Sequence, residues 1–305
     1  LSPGVQQLVD EAIKRDIPVR RLDHDTLLFG YGDKQHIFRR GDSQFPKNSL
    51  PGLIPIVALT GTNGQTATSR LIAHFAKSAG FKVGLTNADG IYIQDELISI
   101  GDCTGPISAG IVLKDPEVNF AVLQCASAGI LNSGLGFDRC NVSIVTNISH
   151  DQISTDGLER FDELAHLLAV VPKSTAPHGY AILNADDESV YAIKDDLYCH
   201  VALFSLDAGN PGIAEHVAKG FPVAIVDRGY FMVIEKGVPI KVARVEDLHL
   251  TVKGKPALMT ENILAALLTA FIFKIPLEVI QDALYEFIPL YEYTRERRSL
   301  LDDSV

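Results

Sequence analysis

The sequence is short of positive charge. It carries 27 Lys and Arg against 38 Asp and Glu, a formal net charge of −11. That balance disfavours nucleic acid and anionic membranes as partners. Four cysteines stand at 103, 125, 140 and 199, with no Cys-x-x-Cys pair and no histidine at zinc spacing. Reduced thiols in a cytosol are the simplest reading. The opening LSPGVQQLVDEAIKRD lacks the basic-then-apolar pattern of a signal segment. The longest apolar run, ILAALLTAFIF at 263–273, is too short to span a bilayer and reads as a buried helix. Internal repeats and low-complexity segments are absent as well. These absences predict a cytoplasmic globular protein. At 305 residues, 47% hydrophobic and 21% charged, the chain suffices for one large or two modest domains.

What is present is a rhythm of strands and helices. Val5, Leu8, Val9, Ala12 and Ile13 repeat at helical spacing, which predicts an amphipathic helix over 3–15. IPVRRL and TLLFGYG read as short strands, and RRGDSQFPKNSLPG (39–52) as a linker. Apolar runs of strand length then alternate with helical patterns from about 53 to 205. This predicts an α/β fold, a doubly wound, mostly parallel sheet. The region 220–255, which alternates around the turn EKG, is expected to add a small antiparallel part. Two helices, 260–273 and 276–287, follow. The tail YEYTRERRSLLDDSV is charged and has no core pattern.

The stretch VALTGTNGQTATSR (57–70) carries the first chemical signal. An apolar strand, a glycine-rich turn and a helix aim backbone N–H groups and a helix dipole at an anion. Gly61 and Gly64 let the backbone approach a phosphate, and Thr66 offers a hydroxyl to Mg²⁺. The N–H groups of residues 62–66 are expected to line an anion-accepting cavity that no lysine reaches. A strict phosphate-loop pattern fails twice, because Leu59 stands where glycine and Gln65 where lysine is wanted. On the residues alone, an ordinary Gly/Asn turn stays open.

A wider set of segments resolves the tie. IPIVALTGTNGQTATSRLIAHFAKSAGFKVGLTNADGIYI, GDCTGPISA, GLGFDRCNVSIVTNI, LNADD and ENILAALLTA occur in this order. Together they resemble the Mur ligase family, and within it the Mur-ligase-like portion of cyanophycin synthetases, over roughly 50–290. Residues 16–38 are similar to a short piece of the synthetases' ATP-grasp half. The resemblance implies a domain order: 1–45 a remnant of that half, 46–290 a Mur-ligase-like central domain, 291–305 a charged tail. It further implies that the ATP-grasp domain and the C-terminal Mur domain are missing.

The family activates a carboxylate with ATP and joins it to an amine, so ATP and Mg²⁺ are the implied cofactors. The resemblance assigns nucleotide binding to Thr60, Gly61, Thr62, Asn63, Gly64, Gln65, Thr66 and Asn262, with Asn262 near the adenine. It places Asp102, Cys103, Thr104 and Gly105 near the acceptor chain end. The turn residues Asn184, Asp186 and Asp187 match too, although a capped Asx turn explains them equally. Cys103, Cys125 and Cys140 read as packing residues.

At the charged catalytic positions the sequence departs from the family. Gln65 aligns with the loop lysine, Gln124 with a metal-binding glutamate, Gln152 with a histidine, and Leu168 with a lysine that helps hold a second Mg²⁺. Ser127 replaces an arginine. A shifted site using His150 and Asp151 is open, as is compensation by Arg70. The loss at position 65 is large, because a charge pair at 4 Å is worth about 4 kcal/mol at an effective dielectric near 20. Metal binding is left to Thr66 alone, and only with Mg-ATP.

Two functions follow. The first is a catalytically degraded Mur-ligase-like protein, inactive alone, that serves as a binding, regulatory or assembly module with weak nucleotide binding. The second is an ATP-dependent acid–amino-acid ligase of the cyanophycin synthetase type, or a fragment of one. A homo-oligomer or a partner ligase chain remains open.

Overall fold

The computed structural model describes residues 3–39, 41–42, 51–149, 160–248 and 256–287. The chain begins with α1 (Pro3–Lys14) and three short strands, β1 (Val19–Arg21), β2 (Thr26–Phe29) and β3 (His36–Arg39). These strands form an antiparallel sheet of their own. Leu8 and Ala12 of the helix pack with Ile17, Phe29 and Phe38 into a small core. Phe29 and Phe38 meet edge to face at 4.9 Å. The unit is fastened to the main body. Asp33 N–H donates to Val118 O at 2.8 Å, Gln35 Nε2 donates to Lys114 O at 2.9 Å, and Tyr31 belongs to the main core.

The main sheet is built from β4 (Ile56–Thr60), β5 (Val83–Asn87), β6 (Gly90–Ile93), β7 (Glu96–Ile100), β8 (Phe120–Gln124), β9 (Cys140–Val145), β10 (Thr175–Asn184), β11 (His200–Ser205), β12 (Val223–Asp227), β13 (Tyr230–Glu235) and β14 (Val238–Arg244). Among the described residues it has eleven strands in the order β14-β13-β12-β11-β10-β9-β4-β8-β5-β6-β7. The centre, from β12 to β5, is parallel. Its strands carry apolar residues on both faces because helices cover both. Val57 and Leu59 point into one layer, with α2 (Gln65–Ser78), α9 (Pro256–Ile272) and α10 (Leu277–Glu286). Ile56 and Ala58 point into the other. That layer is formed by α3 (Pro106–Lys114), α4 (Ser127–Ser133), α5 (Phe161–Leu168), α6 (Val170–Lys173), α7 (Glu188–Ala192) and α8 (Pro211–Ala218).

The expected α/β, mostly parallel architecture is what the chain adopts, and two details correct the sequence reading. First, antiparallel strands close both edges. β6 and β7 turn back after β5 because Asn87 Oδ1 accepts the N–H groups of Asp89 and Gly90 at 2.9 and 3.2 Å and so forms the reversal. Second, within the region 220–255 β12 runs parallel to β11, and the antiparallel addition is β13 and β14. The unforeseen helix α8 supplies the crossover that a parallel return requires. No helix among the described residues is long and apolar enough to cross a membrane.

Candidate functional site

The polar side chains singled out above collect at the carboxyl ends of the parallel strands. β4 lies between β8 and β9, so the chain leaves it for one side of the sheet and later returns to the other. Ligands of open α/β sheets bind in the crevice at such a switch point. The rim is made by the segments after β4, β5, β8, β9 and β10.

The loop after β4 is forced by close packing. Gly61 has φ +139° and Gly64 φ +87°. A Cβ on Gly61 would strike Thr146 Oγ1, and one on Gly64 would strike Asn262 Oδ1, so only glycine fits. Gly64 caps α2 with no side-chain acceptor, which leaves the first-turn N–H groups of that helix for an outside anion.

The expected cavity lining of residues 62–66 narrows here. Thr62 N–H donates to Asn147 O and Asn63 N–H to Asn147 Oδ1, both at 2.9 Å. Only the N–H groups from Gly64 onward remain for a ligand. Thr60 Oγ1 donates to Cys125 O at 2.7 Å and stitches β4 to β8. Thr62 Oγ1 donates to Asn147 Oδ1 at 2.8 Å. Gln65 Nε2 donates back to Gly61 O, so its amide closes on its own loop. Arg70 is committed elsewhere: its guanidinium donates to Asp89 Oδ2 at 2.7 Å and lies over the Tyr92 ring.

Thr66 and Gln124 are brought together, with Thr66 Oγ1 donating to Gln124 Oε1 at 3.1 Å. The same oxygen accepts the Ala88 N–H at 3.3 Å, and Gln124 is buried. Both oxygens are neutral, and no group of three or more His, Cys, Asp or Glu side chains that could hold a metal occurs among the described residues. Mg²⁺ prefers carboxylates, so this pair does not fit it. Leu168 is fully buried in the core. Positions 150–152 lie outside the described residues.

The segment after β7 adjoins this rim through backbone bonds. Cys103 N–H donates to Asn87 O at 3.0 Å, and Ala126 N–H to Thr104 O at 3.4 Å. Asp102 Oδ1 accepts both the N–H and the hydroxyl of Thr104, at 3.1 and 2.6 Å. Cys103 and Thr104 are buried, and Gly105 caps α3. Cys125 is buried and its thiol is pushed well above the ordinary range; burial also pushes Cys140 up to about 11. Both therefore stay protonated and inert.

On the far side of the loop, Asn262 is 2% exposed and its Oδ1 finds no partner among the described residues. Its neighbour Glu261 is pushed up to about 7, first by burial and then by the charge of Asp186, while a hydrogen bond with Asn184 opposes the rise. Asp186 accepts from Ser205 Oγ, Leu206 N–H and Asn210 Nδ2. Asp187 caps α7 and accepts the Ile148 N–H at 2.7 Å. The Asx-turn reading of LNADD thus describes the geometry. Sequence reasoning missed Asn147. It lies within the family-like segment GLGFDRCNVSIVTNI, but its partners are about 85 positions away, so nothing local tied it to the loop.

A family model described as the Mur ligase middle domain matches residues 59–270. The chain belongs to the Mur ligase middle-domain family. It is 39% identical over 261 residues to a cyanophycin synthetase of Geminocystis herdmanii, a match covering 86% of this chain and 30% of that protein. A cyanophycin synthetase of Nostoc sp. is 40% identical over 261 residues, with 86% and 29% covered. The chain therefore spans less than a third of these relatives. A UDP-N-acetylmuramoyl-L-alanyl-D-glutamate–2,6-diaminopimelate ligase of Bacillus velezensis is 23% identical over 242 residues, with 76% and 46% covered. The fold is shared with a solved structure of such a ligase, at a TM-score of 0.60 and 20% identity over 77% of this chain and 46% of that one. It is also shared with MurF from Acinetobacter baumannii, at 0.54 and 15% over the same shares.

Proposed function

We propose that this Mur ligase middle domain binds the phosphates of a nucleotide without performing ligation by itself, and acts as a binding, regulatory or assembly module. The observation that carries this reading is the neutral pair Thr66 and Gln124, hydrogen-bonded at 3.1 Å, beside a loop whose own Gln65 closes on Gly61. Phosphoryl transfer needs developing charge to be met by fixed cations, and the described residues bring none to the loop by hydrogen bond. Backbone N–H groups at the start of α2 suit anion binding without chemistry. Asn262, buried against Gly64 with an unpartnered oxygen, supports a base-side contact.

A second reading rests on the 39–40% identity to cyanophycin synthetases and on the chain spanning about 30% of their length. Under it, the domain is the Mur-like part of an ATP-dependent acid–amino-acid ligase that works with other domains or a partner chain. The test is paired. ATP at a hundredfold excess over its Kd stabilises a binder by about 2.7 kcal/mol, read as a thermal shift. Phosphate release with aspartate, arginine and a cyanophycin-like primer should stay at the no-enzyme background. Release that depends on the amino acid supports the second reading instead.

A further inference from the structure

The phosphate loop is held in shape by the segment that follows β9. The four residues after β9, Thr146 to Ser149, run beside it. Asn147 Oδ1 accepts from Thr62 Oγ1 at 2.8 Å and from Asn63 N–H at 2.9 Å. Asn147 Nδ2 donates to Asn63 O at 3.0 Å. Thr146 Oγ1 donates to the same carbonyl at 2.8 Å, and Ser149 N–H donates to Thr62 Oγ1 at 3.0 Å. The segment is itself anchored from the other side. Asn184 Nδ2 donates to Thr146 O at 2.9 Å, and Ile148 N–H donates to Asp187 Oδ2 at 2.7 Å.

We propose that Asn147 is the positioning residue of the phosphate loop: its carboxamide fixes Thr62 and Asn63 on their ligand-ready path before an anion arrives. The proposal rests on the loop being an anion site. Two of the four residues 61–64 are glycines at positive φ, and glycine has the most backbone freedom to lose. Ordering one residue costs about 1–2 kcal/mol. Where a loop must be ordered at the moment of binding, that cost is subtracted from affinity, and where it is ordered beforehand it is not. The carboxamide of Asn147 supplies both acceptor and donor, so it holds the two peptide planes that flank the Asn63 Cα, the 62–63 plane through its N–H and the 63–64 plane through its C=O. By taking the Asn63 N–H, it also leaves the later N–H groups, from Gly64 onward, as the ones that meet the anion.

The test compares Asn147→Ala with Asn141→Ala in the full chain. Asn141 Oδ1 accepts the Ile56 N–H at 2.9 Å, so it also bridges β9 to β4, but at the opposite end of the strands. Inorganic pyrophosphate is titrated calorimetrically, and exchange of the loop amides is followed on the same samples. Both variants should melt earlier than wild type. Asn147→Ala should weaken pyrophosphate about tenfold and speed exchange at Asn63, as expected for roughly one residue's ordering cost. Asn141→Ala should leave the affinity within about twofold. Wild-type affinity in Asn147→Ala, or equal weakening in both variants, overturns the positioning role alone. No heat from wild type overturns the anion reading and the positioning role with it.

Discussion

Gln65 stands at the start of α2 with its amide turned back onto Gly61 O. A lysine there would add a cation to a loop that now offers only dipoles. Gln65→Lys is expected to tighten ATP binding about five- to tenfold in calorimetry, less than the full strength of a charge pair because solvent screens it. Phosphate release in the same preparation should remain at background, since Gln124 stays neutral. Recovered turnover would identify residue 65 as the sole brake. Glu261 gives a pH signature. Burial holds its carboxyl up to about 7, against an ordinary 4.5. Between those values the folded state keeps a proton that the unfolded chain has released, so stability falls as pH rises across this window and levels off above it. Glu261→Gln should remove that part of the slope in urea midpoints measured from pH 4.5 to 7.5; parallel profiles would contradict it. At this scale the sequence was half legible. The loop, Asn262 and the substituted positions could be named, because a resemblance works residue by residue. Their partners could not: Asp102 closes on Thr104 and Thr60 on Cys125 O, and no spacing rule encodes such contacts.

The elements read best where both faces are buried. β4, β8 and β9 are apolar runs because helices cover both sides of the sheet. The strand β7 escaped because all five of its residues are exposed, which erases the alternation that marks a half-buried strand. The helix α8 escaped because it is short and buries Ile213 alone. Its start is nevertheless built: Pro211 occupies the first turn, and Asn210 accepts the Gly212 N–H at 2.9 Å. Asn210→Ala should cost about 1 kcal/mol through the lost cap, and more through the bonds from Asn210 Nδ2 to Ala185 O and Asp186 Oδ1; urea unfolding reads the sum. For α2 the sensitive point is Gly64. At φ +87°, against Asn262 Oδ1, Gly64→Ala should cost about 2 kcal/mol or more. A wild-type urea midpoint would mean that this close approach does not exist.

Among the described residues, the main sheet has eleven strands, with a polar rim at the carboxyl ends of its central strands and antiparallel strands at both edges. The N-terminal sheet is not set apart from it. Gly32 has φ +54° and sits so close that a Cβ would strike Val118 O, and Tyr31 and Ile54 share the main core. That continuity was invisible in the polar stretch 39–52, where composition suggested a break. The central claim, phosphate binding without ligation, is most directly tested by one calorimetric titration. ATP with Mg²⁺ is injected into the chain in the presence of aspartate, arginine and a cyanophycin-like primer. The account predicts saturable heats that return to baseline after each injection. A sustained heat flow that requires the amino acids would show turnover and contradict it, and the absence of any binding heat would contradict it equally.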